Sequence, residues 1–148
     1  MTVSDVREIA FRYLTRREHS QKELRQKLSR KGISSELILD TIKELVDEGL
    51  VSDQRFAEMF ARSRISRLYG PLKIRAELMK RGVNSTLIDS TLELHSEQWP
   101  ELARQWVLKR NRGGLDRNEK ARLYRSGTSR GFSHDNMMRA IDWLKESQ

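Results

Sequence analysis

This chain of 148 residues contains no cysteine, and that one absence removes several kinds of protein at once. A disulfide scaffold, a thiolate zinc site and a thiol nucleophile are all excluded, and nothing points to secretion. Long apolar runs are missing too. The opening Met1 to Leu14 is broken by Asp5, Arg7, Glu8 and Arg12, so it does not read as a signal peptide. No stretch approaches the ~18 apolar residues of a membrane span. Hydrophobic residues make up 36% of the chain, below the roughly 45–50% usual for globular domains, which argues against a bulky enzyme core. A cytoplasmic protein with a small or distributed core is expected.

Catalytic patterns are equally scarce. No G-x-x-x-x-G-K-[ST] loop occurs, and no glycine-rich turn follows a strand because no strand is evident. His19, His95 and His134 lie far apart without H-E-x-x-H spacing, and each reads as a surface or turn histidine rather than a metal ligand. Most carboxylates sit three or four residues from a cation, as Glu23 does from Lys27 and Glu77 from Lys80 and Arg81, which accounts for them as helix-surface pairs. The expectation is a protein with no enzymatic activity, no cofactor and no metal.

What the chain does have is positive charge and a repeat. Lys and Arg number 29 against 21 Asp and Glu, a formal charge of +8. Most of the cations are arginine, the side chain suited to bidentate contact with phosphate or carboxylate, so an anionic partner is expected. Shifted by 50 positions, Leu24 to Leu45 overlies Ile74 to His95 without a gap. The identities include Arg25/Arg75, Leu28/Leu78, Gly32/Gly82, Ser35/Ser85, Ile38/Ile88 and Thr41/Thr91. A fainter third copy aligns Leu123, Arg130, Gly131, Phe132, Ser133, Met137 and Ile141 with Leu24, Lys31, Gly32, Ile33, Ser34, Ile38 and Ile42.

Apolar residues recur at spacings of three and four, so each copy reads as helical. Ser20 and Glu23 form a capping box for one helix, Gly32 closes it, and Ser34 caps the next. Ser52, the pair Gly70 and Pro71, Gly82 and Asn84 repeat that punctuation. Pro100 and an Asp116/Glu119 capping box open the first two helices of the third copy. The expected fold is all-α, with three tandem three-helix repeats, 1–51, 52–98 and 99–148, stacked into an elongated curved array. Gly127 stands where the other copies have Leu28 and Leu78, and the helix carrying it is expected to be short, kinked or poorly packed.

Charge follows the same period. Residues 7–31, 62–81 and 104–130 are strongly basic, whereas 33–58 and 84–101 are acidic and 133–148 nearly neutral. Stacked repeats would draw these into a basic and an acidic surface. Arg25, Arg64, Arg67, Arg75, Arg104, Arg110 and Arg112 would belong to the basic one, and Glu36, Asp40, Glu44, Asp89 and Glu93 to the other. Tyr69, between Arg67 and Gly70, could stack on a nucleobase or simply pack in its loop, and Lys73 with Arg67 and Arg75 forms a candidate phosphate site. Two other readings stay open. Glu23 to Val51 has the grammar of a helix-turn-helix DNA-binding unit, and a non-specific basic coating protein would explain the net charge.

The combination of Tyr13-Leu14, Arg17-Glu18-His19-Ser20, Glu23-Leu24, Lys27-Leu28 and Lys31-Gly32 with Asp53-Gln54-Arg55-Phe56-Ala57, Gly70-Pro71, Glu77-Leu78 and Arg81-Gly82-Val83 resembles the RecX family, bacterial modulators of the RecA recombinase. Ser126 and Gly127 depart from the bulky apolar residues usual in that family's third repeat. The resemblance implies a non-enzymatic regulator. It would bind the RecA–DNA filament, along its groove or capping its end, and restrain ATP hydrolysis, strand exchange and stimulated repressor cleavage. Its partners would be the RecA filament and, more weakly, single- or double-stranded DNA, and a monomer is expected. The candidate residues for binding the filament or DNA are Arg25, Arg64, Arg67, Tyr69, Lys73, Arg75, Arg104, Arg110 and Arg112.

Overall fold

Short polar side chains take up the first free amides of most helices, and these caps delimit the elements of the computed structural model, which describes residues 1–148. Nine helices and no strand result: α1 (Val3–Leu14), α2 (Gln21–Ser29), α3 (Ser35–Asp47), α4 (Asp53–Ser66), α5 (Pro71–Lys80), α6 (Ser85–Glu93), α7 (Trp99–Arg110), α8 (Arg117–Ser129) and α9 (His134–Glu146). Ser20 and Glu23 form the full reciprocal box at α2, and Thr2 with Asp5 forms another at α1. Ser34, Ser52 and Asn84 accept from amides three residues on, opening α3, α4 and α6. Asp116 does the same for α8, but the expected return bond is absent. The Glu119 carboxylate instead accepts from the Arg112 amide at 2.7 Å and from the Arg122 guanidinium. No helix is long and apolar enough to cross a membrane. No β-hairpin follows Val51, where a winged-helix protein needs one, because Ser52 starts α4.

The chain divides into two compact units, Met1–Phe60 with Leu78–Ile88, and Ala61–Glu77 with Asp89–Gln148. In the first, α1, α2 and α3 pack on one another around Val6, Ala10, Leu24, Leu28, Ile38, Ile42 and Leu45. In the second, α7, α8 and α9 pack together over Leu102, Trp106, Leu123, Phe132, Ile141 and Leu144.

The helix containing Gly127 is neither short nor interrupted: α8 runs 13 residues and Gly127 is buried. A Cβ built on Gly127 would overlap Sδ and Cε of Met137, itself fully buried on α9. Where the first two repeats set Leu28 and Leu78 beside α3 and α6 bearing Ile38 and Ile88, the third moves the bulk across to Met137. The longer unbranched side chain fills the room that glycine leaves.

His19 sits in the turn before α2 as expected, yet it is buried rather than at the surface. Its Nε2 lies 2.7 Å from Lys27 Nζ and its Nδ1 3.0 Å from the Arg17 carbonyl oxygen. An ammonium only donates, so Nε2 accepts and Nδ1–H donates, which requires the neutral ring. Burial pushes the His19 pKa down, and the Arg17 and Lys27 charges add to this against the opposing Arg17 carbonyl bond.

Two outcomes test this packing. Gly127→Leu should destabilise the protein by about 1–3 kcal/mol through overpacking, and Met137→Ala by about 2–5 kcal/mol through a cavity. The double variant should lose clearly less than their sum in urea unfolding, because both changes act on one volume. For His19, the folded-state pKa lies below the unfolded value of about 6.5. Its stabilisation is therefore complete above that value and is lost as pH falls towards the folded pKa. Unfolding free energy should drop between about pH 7.5 and pH 5.5, and His19→Gln should flatten that drop.

Candidate nucleic-acid interface

The start of one second helix meets the end of the next repeat's second helix twice in this chain, once inside each unit. In the first joint, Ser20 Oγ donates to the Arg81 carbonyl at 2.7 Å and Lys22 Nζ to the Lys80 carbonyl at 3.1 Å. A Cβ on Gly82 would come within 2.7 Å of Lys22 Cβ. In the second, the Gly70 amide donates to the Arg130 carbonyl at 3.0 Å and the Leu72 amide to the Gly131 carbonyl at 2.9 Å. Backbone lies directly on backbone here. A Cβ on Gly70 would overlap the Gly131 carbonyl group, and one on Gly131 would overlap Lys73 Cβ.

Electrostatically the two joints differ at one residue. In the first, Glu23 receives Arg17 at 3.0 and 3.1 Å and lies 3.7 Å from Arg81, whose guanidinium also covers the Phe60 ring. Burial pushes the Glu23 carboxyl up. The Arg17 and Ser20 hydrogen bonds with the Arg17 charge outweigh this and hold it below the usual value. Fifty residues on, the same position is Lys73, and the residue matching Arg81 is Arg130. No carboxylate answers them, and neither forms a salt bridge.

Arg130 is nonetheless firmly placed. It donates through Nε to the Leu68 carbonyl at 3.0 Å and through a terminal nitrogen to the Arg67 carbonyl, and its guanidinium carbon lies 3.6 Å from the centre of the Tyr69 ring. These contacts clamp the turn between α4 and α5, where Leu68 adopts φ 61°, a left-handed conformation that costs a leucine roughly 1–2 kcal/mol. Beside the clamp lies a cavity of about 280 Å³. Tyr69, Lys73, Arg110 and Arg130 line it with Ser126 and Ser129, over Trp106, and no carboxylate is among its walls. Trp106 is only 2% exposed, and its indole N–H has no hydrogen-bond partner in the chain.

Of the nine residues singled out from the sequence, three meet here: Tyr69, Lys73 and Arg110. Others are held by carboxylates or rings, Arg64 among them with its guanidinium 5.8 Å from the Tyr69 ring. Arg64 grips Glu77 with donors at 3.0 to 3.3 Å, Arg75 pairs with Asp89 at 2.7 Å, and Arg104 lies against the Trp143 ring near Glu101. The cluster Arg67, Lys73 and Arg75 is thereby divided, since Arg75 is neutralised and Arg67 contributes its carbonyl to the clamp. Arg112 sits in the α7–α8 loop, its amide on a Glu119 carboxyl pulled down to about 2 by the Arg122 hydrogen bond and then by that amide. Arg25 is in the first unit, in a groove with Leu39, Ile42, Lys43 and Asp47. Arg130, Trp106 and the two serines were not singled out. The alignment of Arg130-Gly131 with Arg81-Gly82, together with the exchange of Glu23 for Lys73, is the signal that finds them.

Two family models match the chain: the first three-helix domain of RecX over residues 7–45 and the second over 52–92. The regulatory protein RecX of Chromohalobacter salexigens is 41% identical over 136 residues, 91% of this chain and 90% of that protein. The chain belongs to the RecX family. The RecX of Halorhodospira halophila is 40% identical over 91% of this chain and 85% of its own. The crystal structure of RecX from Lactobacillus salivarius superposes with a TM-score of 0.78 at 26% identity, covering 97% of this chain and 96% of that one. A second RecX crystal structure gives 0.83 at 25% identity, over 95% of this chain and 71% of that one. The third helix triplet, which supplies Arg110 and Arg130, lies beyond both family models but largely within the span shared with the RecX relatives.

The backbone contact in the second joint leaves no room to relax, so Gly70→Ala should destabilise the protein by about 1–3 kcal/mol or more in chemical unfolding. Loss of the Arg130–Tyr69 contact should accompany it, visible as a change in tyrosine fluorescence. An unchanged unfolding midpoint would mean that the helix ends do not depend on this approach.

Proposed function

We propose that this chain is a non-enzymatic regulator that binds the RecA–DNA filament and restrains its ATPase, strand-exchange and coprotease activities. The observation that carries this reading is family membership over nine-tenths of the chain, with named RecX regulatory proteins at about 40% identity. RecA enters as the partner through that family. The charge distribution supports contact with the nucleic acid inside such a filament, because Lys73, Arg110 and Arg130 come together around one cavity with no carboxylate among its walls. Part of the acidic segments, by contrast, serves internal pairing. Glu48 holds Arg7 at 2.7 Å with Glu44 at 3.9 Å, and Asp89 holds Arg75. Those carboxylates are not free to repel a polyanion. The protein acts on this reading as a monomer in the cytoplasm, where the filament forms.

Titrated into RecA assembled on single-stranded DNA, the protein should lower the rate of ATP hydrolysis, and more salt should weaken the effect as fewer phosphate contacts survive. A rate unchanged at saturating protein would overturn the assignment.

A further inference from the structure

The cavity beside the second joint has a donor set without an acceptor charge. Lys73 and Arg110 bring two cations with no partner, and Arg130 adds a guanidinium of which only two of five N–H groups are used on carbonyls. Tyr69 and Ser129 add hydroxyls, and the buried Trp106 N–H makes no bond within the chain. A buried donor left without an acceptor costs about 1–3 kcal/mol, and like charges at one site cost more stability still. The first joint shows how the same architecture looks when it is purely structural: Glu23 stands where Lys73 stands and forms ion pairs with Arg17 and Arg81. Replacing that carboxylate by a lysine has no structural benefit here, since Arg130 already satisfies the turn carbonyls on its own. The exchange makes sense if an oxyanion from outside takes the place of Glu23.

We propose that this cavity binds one phosphodiester group of a single-stranded nucleic-acid backbone, with Lys73, Arg110 and Arg130 supplying charge and the Tyr69, Ser126 and Ser129 hydroxyls lining it. Assignment of the phosphate to a nucleic-acid strand rests on the filament reading above; the anion site itself rests on the cavity. Bases are not read. The Tyr69 ring is covered by Arg130, so binding depends on backbone charge and tolerates any sequence.

The test compares wild type with Lys73→Glu, which restores the carboxylate of the first joint, and Arg110→Ala, which removes an exposed side chain. The probes are a labelled oligothymidylate, followed by anisotropy, and inorganic pyrophosphate, followed by thermal unfolding. Lys73→Glu should melt no lower than wild type, because its carboxylate pairs with Arg130. It should bind the oligothymidylate about tenfold more weakly or worse, with a slope of log affinity on log salt shallower by about 0.7 for the lost phosphate. Arg110→Ala should weaken binding in the same sense. Pyrophosphate should raise the melting temperature of wild type and not of Lys73→Glu. If both folded variants bind the oligothymidylate within twofold of wild type with the same slope, the cavity is not a phosphate site. Pyrophosphate stabilisation without oligothymidylate binding would overturn the strand assignment in favour of a free phosphate. Inhibition of RecA by a wild type that binds neither probe would sink this proposal and leave the regulatory reading standing. Oligothymidylate binding lost in Lys73→Glu, with no effect of wild type on RecA, would do the reverse.

Discussion

Both compact units depend on the same constraint: the first turn of one second helix must lie close against the last turn of another, through the Ser20 and Lys22 side chains in the first joint and backbone to backbone in the second. Glycine makes this possible at Gly82 and Gly131, which close α5 and α8 with φ of 83° and 104°, and at Gly70, where the opposing backbone is nearest. The contact also answers a hydrogen-bonding demand. Helix ends expose carbonyls: in the second joint the Gly70 and Leu72 amides at the start of α5 satisfy them directly, and in the first the Ser20 hydroxyl and the Lys22 ammonium do so. Helix α5 takes part twice, its last turn in the first joint and its first turn in the second. Its residues are accordingly divided between the two units.

On that frame, charge is decided separately from hydrogen bonding, and the difference between the two joints shows why this matters. Glu23 accepts from Arg17 and from the Ser20 amide, so its joint is satisfied in both respects. Arg130 donates to two carbonyls, which fulfils its geometry but leaves its charge intact, because a carbonyl carries only a dipole. With Lys73 and Arg110 nearby, the second joint is held together yet remains strongly positive. A field of this kind is short-ranged at physiological salt, where screening acts over about 8 Å. It therefore favours an anion that enters the cavity over one that passes by.

Much of the architecture was legible because its signals are local. A capping serine and its third residue, or a glycine that ends a helix, lie within one turn of each other, and the 50-residue offset exposes them twice. Features that depend on a partner elsewhere were not legible. Gly127 reads as a defect until Met137, ten residues away on the next helix, is seen to fill its place. His19 looks like a surface residue because nothing in its neighbourhood announces that Lys27 will cap its ring under a buried turn. The arginines were the hardest to sort. Arg64 meets Glu77 and Arg75 meets Asp89 across 13 and 14 residues, separations set by helix packing rather than by the spacing of three or four that marks pairs on one helix.

That sorting changes what a basic chain signifies. A formal charge of +8 attracts polyanions to the whole surface, and it raises the rate of encounter without choosing a place of contact. Selection of a place needs cations that are both close together and unable to find carboxylates at home. Arg64, Arg75 and Arg7 fail the second condition, and the exposed Arg25, which shares its groove with Asp47, stands outside this cluster. Lys73 and Arg110 meet both, around a guanidinium whose orientation is fixed by the turn it clamps. Preorganisation lowers the cost of ordering side chains on binding, so a single such site outweighs several mobile surface arginines of equal charge. The two joints of this chain share their closing glycines and differ at Glu23 and Lys73, so the charge at a joint changes while the close approach of its helices is kept.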